Sequence, residues 1–145
     1  MEYVVKRYDE LTLDELYEIL RIRCAVFIVE QDCPYQDIDG KDKGAFHVYL
    51  KEKDRILAYL RVLDRGVSFS EVSLGRVIST ERLKGYGRMV LEEGIRVAKE
   101  RFNADAIRIE AQVQASGFYE KAGFIREGDV FLEDGIPHIE MILKL

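Results

Sequence analysis

Arg82-Leu83-Lys84-Gly85-Tyr86-Gly87-Arg88 combines three cationic side chains with two glycines, between an apolar run ending at Val77-Ile78 and a helix-patterned segment. In that segment Val90, Leu91, Gly94, Val97, Ala98 and Phe102 recur at three- and four-residue steps, the spacing of one helix face. A glycine-bearing loop that enters a helix leaves backbone N–H groups unpaired and aims the positive end of the helix dipole at one spot. Such a spot binds anions, phosphate above all. Gly85 and Gly87 lack Cβ atoms, so a diphosphate can approach the main chain closely, with Arg82, Lys84 and Arg88 around it. Spacing excludes the commoner phosphate loops. There is no Gly-x4-Gly-Lys-Ser/Thr, and the third glycine of a dinucleotide fingerprint would fall on Val90.

The form Arg82-x-x-Gly85-x-Gly87 resembles the acetyl-CoA pyrophosphate loop of the GNAT N-acetyltransferase superfamily. A longer stretch is more specific. Cys24-Ala25-Val26-Phe27-Ile28-Val29-Glu30-Gln31-Asp32-Cys33-Pro34-Tyr35-Gln36-Asp37-Ile38-Asp39-Gly40 is similar to the ElaA-like subfamily, as is Asp134-Gly135-Ile136-Pro137-His138-Ile139-Glu140-Met141. Arg23-x-x-Val26-Phe27 also resembles the entry helix of acyl-homoserine-lactone synthases, for which the chain is short.

The resemblance implies acetyl-CoA as cosubstrate, held by Arg76, Val77 and Ile78 and by the loop residues Arg82, Leu83, Lys84, Gly85, Tyr86, Gly87 and Arg88. Val77-Ile78-Ser79 departs mildly from the family's Val-x-Pro. Acetyl transfer from a thioester needs a neutral amine, a stabilised carbonyl oxygen and a proton for the leaving thiolate. The family's Asn-x-x-Ala-x-x-x-Tyr is matched by Gln112, Ala115 and Tyr119, with Gln in place of Asn, which implies Tyr119 as the general acid. Glu71 stands at the spacing of the catalytic glutamate of histone acetyltransferases and is the expected base, with Glu110, Glu30, His138 or a water chain as alternatives. Glu30, Asp37 and His138 are the expected acceptor-binding residues. The acids Glu30, Asp32, Asp37, Asp39 and Asp42 would favour a cationic amine. The expected activity is acetylation of a primary amine on a small molecule or peptide. A non-catalytic acyl-CoA-binding module is the competing reading.

These residues need elements to carry them. A strand from Tyr3 to Tyr8 precedes a helix that opens with a capping box, Thr12 and Glu15, and a staple of Leu11 and Leu16. Leu16, Ile19, Leu20, Val26 and Phe27 form its expected buried stripe, with Arg23 inside it. Residues 32–44 read as a polar loop. Asp37, Asp39 and Asp42 in it do not make a calcium loop, because Gly40 falls at position four and Val48 where the glutamate belongs. Strands follow at Ala45–Lys51, Ile56–Leu63 and Glu71–Ser79, then the loop helix. Ala106–Val113 alternates as a strand, Ala115–Ala122 is a short helix, and Phe124–Leu132 and Pro137–Leu143 pair across Glu133-Asp134-Gly135. The order β-α-β-β-β-α-β-α-β-β matches the GNAT fold. It predicts an α/β (α+β) single domain over residues 1–145, with a mixed, mostly antiparallel sheet of about seven strands and helices on both faces.

A chain of 145 residues suffices for one normal core. Its net charge of −5 opposes general nucleic-acid binding, and no apolar run approaches the roughly 18 residues of a membrane span. Met1-Glu2-Tyr3 does not begin a signal peptide. Cys24 and Cys33 make neither a disulfide framework nor a metal cluster. A cytoplasmic enzyme with reduced thiols and no metal is the economical expectation, and a homodimer is the assembly to test.

Overall fold

The structure is a computed structural model that describes residues 1–145. β1 (Glu2–Arg7) leads to α1 (Leu13–Arg23) through the expected capping box. The Thr12 hydroxyl accepts from the Glu15 N–H at 3.1 Å, and the Glu15 carboxylate accepts from the Thr12 N–H at 2.8 Å. The helix does not run on as α to Phe27. After Arg23 the backbone widens into a π-helical turn over Cys24–Glu30. The buried face of α1 is Ile19, Ile22 and Arg23, with Leu16 and Leu20 only partly covered. Beyond it Val26 and Phe27 still reach the cluster of Tyr49, Ile56, Tyr59 and Ile78.

β2 (Phe46–Glu52), β3 (Arg55–Leu63) and β4 (Ser73–Ser79) extend β1 into a four-stranded antiparallel sheet in chain order. β5 (Ala106–Gln112), β6 (Ile125–Glu133) and β7 (Ile136–Lys144) form a three-stranded sheet with β7 in the middle. The β6–β7 turn is Asp134-Gly135, with φ of +52° and +76°, the paired positive angles of a tight hairpin. α2 (Tyr86–Phe102) packs Val90, Leu91, Val97 and Ala98 on one face, against Val48, Leu60, Val62, Ile107 and Ile109. α1 covers the other face of the larger sheet, and the short α3 (Ser116–Glu120) follows β5. The expected element order and the seven mostly antiparallel strands are observed.

Two features of β4 make the site. The sheets meet only at its entrance, where Val72 bridges Ile107 in parallel and the Arg108 N–H donates to the Val72 carbonyl at 2.9 Å. Past that point β4 and β5 separate, and one backbone edge of β4 is left unpaired. On its other edge Tyr59 faces Ile78 while Arg61 faces Gly75, so β4 carries one residue more than β3. The surplus is a β-bulge at Arg76, whose φ of +54° lies in the left-handed region.

Candidate active site

The glycine loop is pinned at its entry and open at its tip. The Thr80 N–H donates to the Leu57 carbonyl at 3.0 Å, the Ser79 hydroxyl donates to the Glu81 carbonyl at 2.9 Å, and Arg55 pairs with Glu81. Gly85, with φ +77° and open space where a Cβ would stand, precedes α2. No side chain caps that helix and no acid sits in its first turn. The first helical backbone bond is donated by Met89, so the N–H groups of Tyr86, Gly87 and Arg88 have no helical acceptor. Arg82, Lys84 and Arg88 are exposed, as is Leu83 at φ +62°. These residues fit a diphosphate. A Cβ at Gly87 would lie 3.6 Å from Phe118, so the loop is seated against α3.

A cleft of about 540 Å³ opens where β4 and β5 separate. Arg76, Val77, Tyr119 and His138 all line it, so four of the sequence-selected residues meet in one space. The Ile78 side chain is instead core, 1 % exposed, and only its main chain lies along the cleft-bearing strand. The Tyr119 ring is wedged edge-on between Phe118 and Phe124, with ring centres 5.1 and 5.8 Å away. Burial pushes its hydroxyl up to about 12, so it is protonated at neutral pH. His138 stacks on Phe131, and its Nδ1 donates to the Ile136 carbonyl at 2.7 Å, leaving Nε2 free when the ring is neutral.

Glu71, the expected base, lies elsewhere. Both its oxygens accept from Arg108, at 3.1 Å each, and it is not part of the cleft wall. The Arg108 hydrogen bonds hold its carboxyl below the usual range, the wrong direction for a base. Four carboxylates do line the cleft, Asp39, Glu110, Glu133 and Asp134, and of these Glu110, on β5, stands at its solvent-exposed side. Its acidity is weakened to about 7, first by burial, then by a hydrogen bond and charge from Glu133, with Glu140 adding repulsion and Lys41 opposing. The β5 alternation puts Glu110 on the polar face with Arg108 and Gln112. Nothing local in the sequence announces Glu133 as its partner, because the pairing is made by the registers of β5 and β6 with β7.

The acids after α1 are also differently placed. Glu30 is exposed in a second depression that adjoins the cleft and shares Gln31, Gln112 and Ile136 with it. Asp37 is 7 % exposed and does not line the cleft. Its carboxylate meets Arg23 Nε at 3.1 Å and Arg76 Nε at 2.7 Å. Asp42 accepts from Arg23 at 2.6 Å and from Arg61 at 3.0 Å, and Asp39 accepts from Arg61 at 2.6 and 2.9 Å. Burial alone would weaken the acidity of Asp39, but Arg61, the Lys41 N–H and Arg76 outweigh it and hold the carboxyl well below the usual range. Arginines therefore pair with three of the five acids expected to attract a cationic amine, while Glu30 and Asp32 stay exposed. Cys33 also borders the cleft, with its thiol 3.7 Å from the Asp134 carbonyl.

A cleft at the parting of two strands, beside an uncapped glycine-loop helix, defines a GNAT-type acyltransferase site. The chain belongs to the GNAT acetyltransferase family, whose acetyltransferase (GNAT) domain model matches residues 9–145. It is similar to protein ElaA of Escherichia coli, 37 % identical over 97 % of this chain and 95 % of that one. The crystal structure of Escherichia coli ElaA superposes with a TM-score of 0.88 at 36 % identity, covering 98 % of this chain and 99 % of that one. An acyl-CoA N-acyltransferase from Pseudomonas aeruginosa gives a TM-score of 0.91 at 36 % identity, with 98 and 99 % covered. The resemblance to the ElaA-like GNATs thus extends over nearly the whole chain, and it implies acyl-CoA binding. No helix is long and apolar enough to cross a membrane.

Proposed function

We propose that residues 1–145 act as one N-acetyltransferase domain, which moves an acetyl group from acetyl-CoA to a primary amine of a small molecule or peptide by direct attack. The observation that carries this reading is the meeting of Glu110, Tyr119 and the free edge of β4 in one cleft next to the glycine loop. Acetyl-CoA supplies an activated thioester. The N–H groups at the start of α2, with Arg82, Lys84 and Arg88, hold its diphosphate. Backbone groups of Arg76, Val77 and Ile78 align the pantetheine arm and polarise the thioester carbonyl. Glu110 replaces Glu71 as the base. With an acidity near neutrality, it takes a proton from the acceptor ammonium, and the neutral amine attacks the carbonyl carbon. As the C–S bond of the adduct breaks, Tyr119 gives its proton to the departing sulfur, and the proton that the amide nitrogen sheds restores the phenol, directly or through water. His138 and Glu133 border the acceptor side.

The test is release of CoA from acetyl-CoA with a panel of primary amines, with the acetylated amine identified by mass. Turnover with at least one amine is the expected result. Tight acetyl-CoA binding without turnover of any amine would favour the non-catalytic module. The cysteines are expected to be spectators. Cys33→Ser should keep turnover in excess chelator, and selective loss of chemistry would indicate an acyl-enzyme.

A further inference from the structure

The residues joining the 32–44 loop to β4 are built as a strut. Arg76 stands in the bulge with a left-handed backbone, a conformation that a non-glycine residue keeps only when its surroundings hold it. What holds it lies in the loop. Its Nη2 donates to the Asp37 carbonyl at 3.1 Å and to the Asp39 carboxylate at 3.3 Å, and its Nε lies 2.7 Å from the Asp37 carboxylate. Its guanidinium carbon sits 5.4 Å above the Tyr35 ring, and the Tyr35 hydroxyl donates to Asp37 at 2.9 Å. Asp39 is fixed in turn by a two-point contact with Arg61, which is 3 % exposed, and Asp37 by Arg23, which is fully buried. Every link runs from the rigid layer between α1 and β3 to one residue on the free edge of β4.

We propose that Asp39 is a positioning residue for acyl transfer: through Arg76 it holds the β4 bulge in the shape that presents backbone N–H groups to the thioester carbonyl of a bound acyl-CoA. This rests on the acetyl-CoA reading above. Asp39 borders the cleft, but both its oxygens are taken up by Arg61 and Arg76, and it touches no reacting atom in this scheme. Its loss should degrade the alignment of the thioester while leaving the diphosphate grip of the glycine loop intact, because that grip is pinned separately through Thr80 and Glu81. Misalignment of this kind weakens polarisation of the carbonyl more than it weakens binding.

The experiment uses the full chain and acetyl-CoA carrying carbon-13 at the thioester carbonyl, and it needs no acceptor. Infrared difference spectra read the carbonyl stretch, and thermal melts with acetyl-CoA read binding. Wild-type protein should bind and shift the stretch to lower frequency. Asp39→Asn should keep the melting shift, with affinity changed by less than about threefold, and lose most of the carbonyl shift. Arg76→Gly, which tolerates the left-handed backbone without the tether, should lose the carbonyl shift in the same way, and Asp39→Asn added to it should change nothing further. This second variant also decides the matter should Asp39→Asn fail to fold. Full carbonyl polarisation in either folded single variant would overturn the positioning role alone. A wild type that shows no melting shift would remove the acetyl-CoA reading and this proposal with it.

Discussion

Glu110 and Tyr119 are the base and the acid of the proposed reaction, and their surroundings set their protonation states in different ways. Burial keeps the Tyr119 phenol protonated, and burial with two neighbouring carboxylates brings Glu110 to about 7, where it exchanges protons readily. If Glu110 is the base, its deprotonated form is the active one, so kcat/KM should rise with pH through about 7 and then level. Glu110→Gln should abolish that limb, and an unchanged profile would clear Glu110 of the role. Stability carries the opposite sign. A carboxyl whose acidity is weakened from 4.5 to about 7 makes the folded state bind more protons than the unfolded one, so its contribution falls as pH rises across that window. Glu110→Gln should therefore melt higher than wild type at pH 8 and alike at pH 4. Tyr119→Phe should lower kcat by roughly 10- to 1,000-fold while acetyl-CoA affinity barely moves. Equal kcat at saturation would mean that solvent protonates the thiolate.

At the scale of elements, the holding of a CoA ester is divided, in the proposed reading, between the start of α2 and the bulge of β4. The helix offers unpartnered N–H groups at Tyr86 to Arg88, and the strand offers a free edge where β5 has turned away. Gly85 is the hinge between loop and helix, at φ +77°. Gly85→Val should remove the rise in melting temperature produced by CoA, because a β-branched residue resists that backbone and fills the space a diphosphate would take. Retention of the full CoA shift by a folded Gly85→Val protein would take the loop out of the site. The π-helical turn after α1 belongs to the same scale. It ends α1 with Arg23 turned inward toward Asp37 and Asp42, so the 32–44 loop is tied down from the helix side as well as from β3.

Over the whole molecule, three arginines and three aspartates join α1, the 32–44 loop, β3 and β4 into one charged layer. Removing one member leaves buried charges without partners, so Arg23→Ala should cost on the order of 3–5 kcal/mol in urea unfolding. A loss below about 1 kcal/mol would mean that water or a rearranged loop satisfies Asp37 and Asp42. His47 closes the layer. Its Nε2 donates to the Asp42 carbonyl at 2.9 Å and its Nδ1 accepts from Tyr59 at 2.8 Å, an arrangement open only to the neutral ring, which burial and the nearby arginines enforce.

The order of elements, the capping box of α1, the hairpin turn at Asp134-Gly135 and the glycine loop were all legible in the sequence. Each rests on neighbours within a few residues, where spacing and side-chain type decide the outcome. The resemblance singled out Tyr119 and His138 through motifs that are also local, and both line the cleft. Which carboxylates lie in the cleft, and how the acidic loop is paired, were not legible. Glu71 and Glu110 look alike along the chain, and only the fold gives Arg108 to one and Glu133 to the other. Asp37, Asp39 and Asp42 read as a solvated negative patch until tertiary packing brings Arg23, Arg61 and Arg76 onto them from separate elements. A carboxylate's role is set by the charges and the dielectric within a few ångströms, and the chain supplies most of those from far away in sequence.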